Sequence, residues 1–197
     1  LRTSVPRSPS PAAQSICVIA LHEIFATMAG LCRSSVFTPS ADTWSSFMDM
    51  TYFEDLNVGD SWTSAESAVD HEEMLAYGRT NDPWPIHVDP EAATRSPFGG
   101  LVASGGYTIS LMYRLSHEIV NRPDRTWAFL GGFDWHVKFL EPVRSGDRLH
   151  ERITILDKRL SSKPGRGIVK NLIELINDRK RVVLSIESTV LFATRTQ

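Results

Sequence analysis

The sequence predicts an α+β fold: one long, mostly enclosed helix followed by a run of antiparallel strands. Three observations predict it. Between Gly105 and Asn121, the residues Tyr107, Leu111, Met112, Leu115 and Ile119 recur at helical spacing, and Ile109, Tyr113 and Val120 widen the stripe. From Phe133 onward, apolar and polar residues alternate with period two in segments joined by short polar turns. Helical and strand patterns do not alternate along the chain and no internal repeat is visible, so the strands pair antiparallel, without helical crossovers.

The 197 residues carry a formal net charge of −2, which allows one domain with a sizeable core, or one domain plus a tail. Near-neutral charge gives no reason to expect nucleic acid or an acidic membrane surface as partner. No apolar run is long enough for a transmembrane helix. Both cysteines, Cys17 and Cys32, lie near the N-terminus, so residues 48–197 hold no disulfide and no thiolate nucleophile, which suits a cytoplasmic protein. No Cys/His spacing suggests a metal site.

Residues 1–47 are rich in Ser, Ala, Pro and Thr and contain only two acids, Glu23 and Asp42. Three readings stand side by side: translation from upstream of a natural start at Met48 or Met50, a transit peptide carrying Arg2, Arg7 and Arg33, or an extension that docks. In each, residues 48–197 form the folded domain.

Residues 52–60 lead to a Gly-Asp turn, and Ser61 to Val69 reads as a first strand with Trp62 buried. Asp70 suits a helix N-cap with Glu73 at the capping-box position, and Met74, Leu75 and Tyr77 supply the apolar side before a break at Gly78. Pro83 and Pro85 then predict an extended, stiff segment between Asp82 and His87. Asp89, Pro90 and Glu91 open a short helix. Ser104-Gly105-Gly106 opens the long helix, with glycines that let unpaired N–H groups approach a ligand oxygen. Asn121 to Asp124 ends it. Strands follow at 133–139, 149–157, 168–176 and 181–192, separated by Arg144–Asp147, Ser161–Gly167 and Asn177–Lys180.

Asp82 and His87 are candidates for holding a water and moving a proton. Taken as an arbitrary pair, they read first as a local turn hydrogen bond and a satisfied core histidine. Their setting resembles the MaoC-like family of hydratases and acyl dehydratases, which have the hot-dog fold and include (R)-specific enoyl-CoA hydratases. Asp82, Pro85, His87, Ala92, Ala93, Phe98 and Gly105 fit that family's pattern, and the resemblance runs from about Tyr52 to Phe192. Two positions depart from it: Trp84 stands where the pattern usually has Asn, and Ser104 where many (R)-hydratases have His.

The resemblance implies a single hot dog, a curved antiparallel sheet wrapped around the central helix, assembled at least as a homodimer. It implies reversible addition of water to a trans-2-enoyl-CoA or related acyl thioester, giving a (3R)-hydroxyacyl thioester, with no cofactor beyond the coenzyme A of the substrate. Asp82 and His87 become the catalytic pair, the Gly105 amide the donor to the thioester oxygen, and Trp84, Phe98 and Ser104 residues of the substrate pocket. Ser104 reads as an N-cap, since nothing around it resembles a nucleophile elbow. Two alternatives remain: a hot-dog thioesterase, against which stands the distance from Ser104 to the next acid, Glu118, and a non-catalytic acyl-thioester-binding subunit, which Trp84 keeps open. Arg79, Arg95, Arg144, Lys163 and Arg166 suit either coenzyme A phosphates or a solvated surface.

Overall fold

A computed structural model describes residues 49–195, so the reading of residues 1–47 lies outside the described residues. The strands are β1 (Asp49–Thr51), β2 (Ser61–Thr63), β3 (Ser67–Ala68), β4 (Arg125–Trp127), β5 (Phe129–Phe139), β6 (Arg148–Leu160), β7 (Arg166–Asn177) and β8 (Val182–Ala193). The helices are α1 (His71–Asn81), α2 (Pro85–Val88), α3 (Pro90–Arg95) and α4 (Gly105–Val120), with a 3-10 turn at Phe53–Asp55. The main sheet runs β2-β6-β7-β8-β5, every pair antiparallel, with β3 also on β6. β1 and β4 form a separate parallel pair.

Inward side chains of β6, β7 and β8 fall at every second position, as the strand period requires. Ile153, Ile155, Val169, Leu175, Leu184, Ile186 and Phe192 form one core with Tyr107, Leu111, Met112 and Leu115 of α4. A long helix buried against an antiparallel sheet is the hot-dog arrangement that the sequence predicts. Burying that stripe is what stabilises a 16-residue helix; propensity alone is too weak.

Several elements differ from expectation for physical reasons. The first strand is split, because the Ser64 hydroxyl takes the Glu151 amide while the Ser64 N–H keeps the Glu151 carbonyl, and the chain leaves β6 until Ser67. Helix α1 does not break at Gly78. The glycine lies inside it, where a β-carbon would meet Val88 and the His87 carbonyl, so it serves close packing against α2. Asp70 caps α1 through the Glu73 amide, but the Glu73 side chain does not close a capping box: it accepts from the Tyr107 hydroxyl at 3.1 Å and pairs with Arg114. That contact ties α1 to α4, and burial together with the Glu73 carboxylate pushes the Tyr107 hydroxyl far above its usual pKa. The expected extended segment from Asp82 to His87 also stops early. Trp84 is extended, but Pro85 opens the one-turn helix α2, because its fixed φ suits a first helical position. On α4, Tyr113 is exposed instead of enclosed, and β5 starts at Phe129 with two bulges before settling into register.

Candidate active site

Asp82 is the C-cap of α1 and Ser104 the N-cap of α4, so two helix ends meet here. The Ser104 hydroxyl donates to Asp82 Oδ2 at 2.7 Å and accepts from the Gly106 amide at 3.2 Å. The turn of α2 carries His87 back towards Asp82, leaving His87 Nε2 3.5 Å from Asp82 Oδ2. The His87 side chain is 12% exposed and that of Asp82 33%.

His87 Nδ1 lies 2.8 Å from the Val102 carbonyl, which only accepts, so Nδ1 carries the proton. In the neutral ring Nε2 is then a bare acceptor facing an acceptor carboxylate. Two acceptors at this spacing suit a shared donor. The strap 101–104 is itself fixed, with the Val102 amide on the Ile86 carbonyl and the Ala103 amide on the Val143 carbonyl. Val102 was not legible as a site residue, because its part is played by a backbone carbonyl; nor was the Ser104–Asp82 bond, which spans 22 positions.

A cavity of about 380 Å³ opens beside His87, lined by that residue with Phe98, Gly105, Thr108 and Phe139 among others. Gly105 is the first residue of α4, so its N–H has no intrahelical acceptor. The Phe139 ring covers it so closely that a β-carbon there would lie 2.9 Å from Phe139 Cζ. Asp82, His87, Ser104 and Gly105 thus come together, and Phe98 lies on the cavity wall. Trp84 does not: its side chain is 69% exposed and it caps α2 through its backbone, outside the cavity lining. Ser104 is buried behind Asp82 and is not part of that lining either. Asn81 donates to the Tyr77 carbonyl and leaves the support of Asp82 to Ser104. Arg144 anchors the loop before α4 through the Phe98 and Leu101 carbonyls, so its charge is engaged in structure.

The described residues thus define a hot-dog protein with an Asp/His pair at the start of its central helix. Residues 57–175 match the model of the MaoC like domain, and the chain belongs to that family. Among curated proteins it is 37% identical over 101 residues to nodulation protein N of Rhizobium meliloti (strain 1021), across 50% of this chain and 60% of that protein's length. It is 33% identical over 109 residues to 3-hydroxyacyl-thioester dehydratase Z of Mycobacterium tuberculosis, across 54% of this chain and 69% of that one. Among solved structures, the MaoC-like dehydratase from Rhodospirillum rubrum superposes with a TM-score of 0.66 at 32% identity, covering 75% of this chain and 99% of that chain. The (R)-hydratase from A. caviae superposes with a TM-score of 0.54 at 19% identity, over 70% of this chain and 97% of that one; at that identity the match speaks for the fold alone. No helix among the described residues is long and apolar enough to cross a membrane.

Proposed function

We propose that this chain reversibly hydrates a trans-2-enoyl thioester to the (3R)-hydroxyacyl thioester, with Asp82 and His87 as the catalytic pair. The observation that carries it is the 3.5 Å approach of two acceptors, His87 Nε2, whose ring is fixed through Nδ1 on the Val102 carbonyl, and Asp82 Oδ2, which already holds the Ser104 hydroxyl. A water between them donates one hydrogen to each and turns an oxygen lone pair outward. That oxygen bonds the β-carbon, the π electrons move to the α-carbon and thioester oxygen, and the pair takes a proton from the water. The Gly105 N–H receives the enolate oxygen, a donor fixed before charge develops. The proton held by the pair then passes to the α-carbon on the same face, so one water is consumed and nothing else is released.

Membership of a family with hydratase and dehydratase members supports the reading. A thioesterase would need an acid directing water at the carbonyl. Glu118 is thirteen residues along α4 from Gly105, about 20 Å at 1.5 Å per residue, and it accepts from the Ala65 amide. No metal or bound cofactor takes part in this scheme.

The test is crotonyl-CoA hydration set against acyl-CoA hydrolysis. Asp82→Asn and His87→Ala should each lower hydration by roughly two to four orders of magnitude with folding nearly unaffected. The double variant should be little worse than either, because the pair acts as a unit. Near-native hydration by both single variants would sink the assignment.

A further inference from the structure

A second cavity lies farther along the two elements that wall the catalytic one. Thr108 and Phe139 line the first cavity; Met112 and Trp135 line a second of about 450 Å³. Thr108 and Met112 are four apart on α4 and share a helix face; Phe139 and Trp135 share a strand face. The two cavities therefore follow one another along α4 and β5.

The walls of the inner cavity are mainly apolar, from Trp127, Ile153, Ile173, Val190 and Phe192. Its sheet wall breaks that pattern at one place. The inward rows Val169-Asn171-Ile173 and Ile186-Ser188-Val190 each carry a single polar residue, and Asn171 and Ser188 are direct cross-strand partners. Asn171 is 6% exposed and Ser188 2%. Ser188 donates its hydroxyl proton to Asn171 Oδ1, which occupies the acceptor end of the amide. The other end, Nδ2, has two protons and no acceptor among the hydrogen bonds of the described residues. Asn171 lines the cavity, so these donors serve whatever fills it. A plain alkyl chain leaves them unmet.

We propose, building on the acyl-thioester reading above, that the inner cavity takes the distal part of an acyl chain bearing an oxygen acceptor, a ketone or hydroxyl remote from the thioester, which receives the Asn171 N–H. Asn171 and Ser188 lie in the sheet row of Trp135, four residues along β5 from Phe139, or about 13 Å at 3.3 Å per residue. The oxygen therefore belongs near the end of a medium-length chain and not beside the reacting carbons.

The test is calorimetric binding of two thioesters to the full chain: dodecanoyl-CoA, and the same molecule with a ketone on its penultimate carbon. The keto chain should bind at least about tenfold more tightly, since a site built to donate discriminates against the analogue that cannot accept. Asn171→Leu, close in size and without donors, should abolish or reverse that preference. Equal binding of the two thioesters to the native protein overturns the inference, as does a preference that survives in Asn171→Leu. The native comparison decides even where the variant fails to fold. Equal binding alongside crotonyl-CoA hydration sinks only this inference. A keto preference without hydration sinks the catalytic reading instead, and binding of neither thioester together with absent crotonyl-CoA hydration sinks both.

Discussion

One oxygen, Ser104 Oγ, joins the two helix ends at the site: it caps α4 through the Gly106 amide and donates to Asp82. Ser104→Ala should cost about 1 kcal/mol of stability as a lost cap. It should also slow crotonyl-CoA hydration by about ten- to a hundredfold, the equivalent of one hydrogen bond to a charged group. Unchanged turnover alongside a lowered Tm would reduce Ser104 to a cap. A second residue, Glu151, is fully buried on β6 with Ser116 donating to Oε1 at 2.7 Å and Oε2 unpartnered. Burial raises its pKa from 4.5 to about 8; the Ser116 bond opposes the rise and the Glu118 charge adds to it. The folded state thus holds a proton that the unfolded state releases above about 4.5, so stability falls as pH climbs from there to about 8, by at most about 1.4 kcal/mol per pH unit. Glu151→Gln removes this loss. Its Tm should match the parent near pH 4.5 and exceed it at pH 8.5; an equal gap at both values would contradict the assignment.

At the scale of elements, the β6–β7 hairpin is locked to the segment after β1. The Phe53 ring packs over Gly167 so closely that any β-carbon there would overlap it. Lys158 Nζ sits 4.4 Å from the centre of that ring and donates to the Phe53 carbonyl at 2.9 Å. Gly167→Ala should therefore destabilise by about 1–3 kcal/mol through overpacking. Hydration should be unchanged, since the position lines neither cavity. Urea denaturation checks the first and crotonyl-CoA turnover the second; a neutral effect would mean that the 3-10 turn is free to lift. This contact was illegible beforehand, because Gly167 reads in sequence only as the end of a hairpin loop.

For the whole molecule, β5 is one of the two edges of the main sheet. Phe129, Leu130, Phe133 and Phe139 on it, and Leu140 just after it, are all more than half exposed, Phe133 at 60%. A long apolar edge with unpaired backbone groups is a template for another strand. We therefore propose that the expected homodimer forms through β5, antiparallel to its copy across a two-fold axis. Phe133→Glu should convert dimer to monomer in analytical ultracentrifugation; a parent protein that sediments as a monomer would remove the proposal.

The sequence by itself determined the α+β class, the long helix and its start at Gly105, and four strands whose positions differ from those observed by a few residues at their ends. These follow from local rules: side-chain period, proline and glycine chemistry, and capping. It also determined which two residues to watch, Asp82 and His87. Only the tertiary structure decided how they are served. Ser104 and the Val102 carbonyl act across folded distance, through bonds that no spacing encodes. Trp84, a departure from the family pattern within the site's own segment, is 69% exposed to solvent. The tertiary structure likewise decided that Gly78 would not end α1 and that Pro85 would begin a helical turn. Each is set by what packs against it: Val88 and His87 against the glycine, and the Val102 strap against the turn that aims the imidazole.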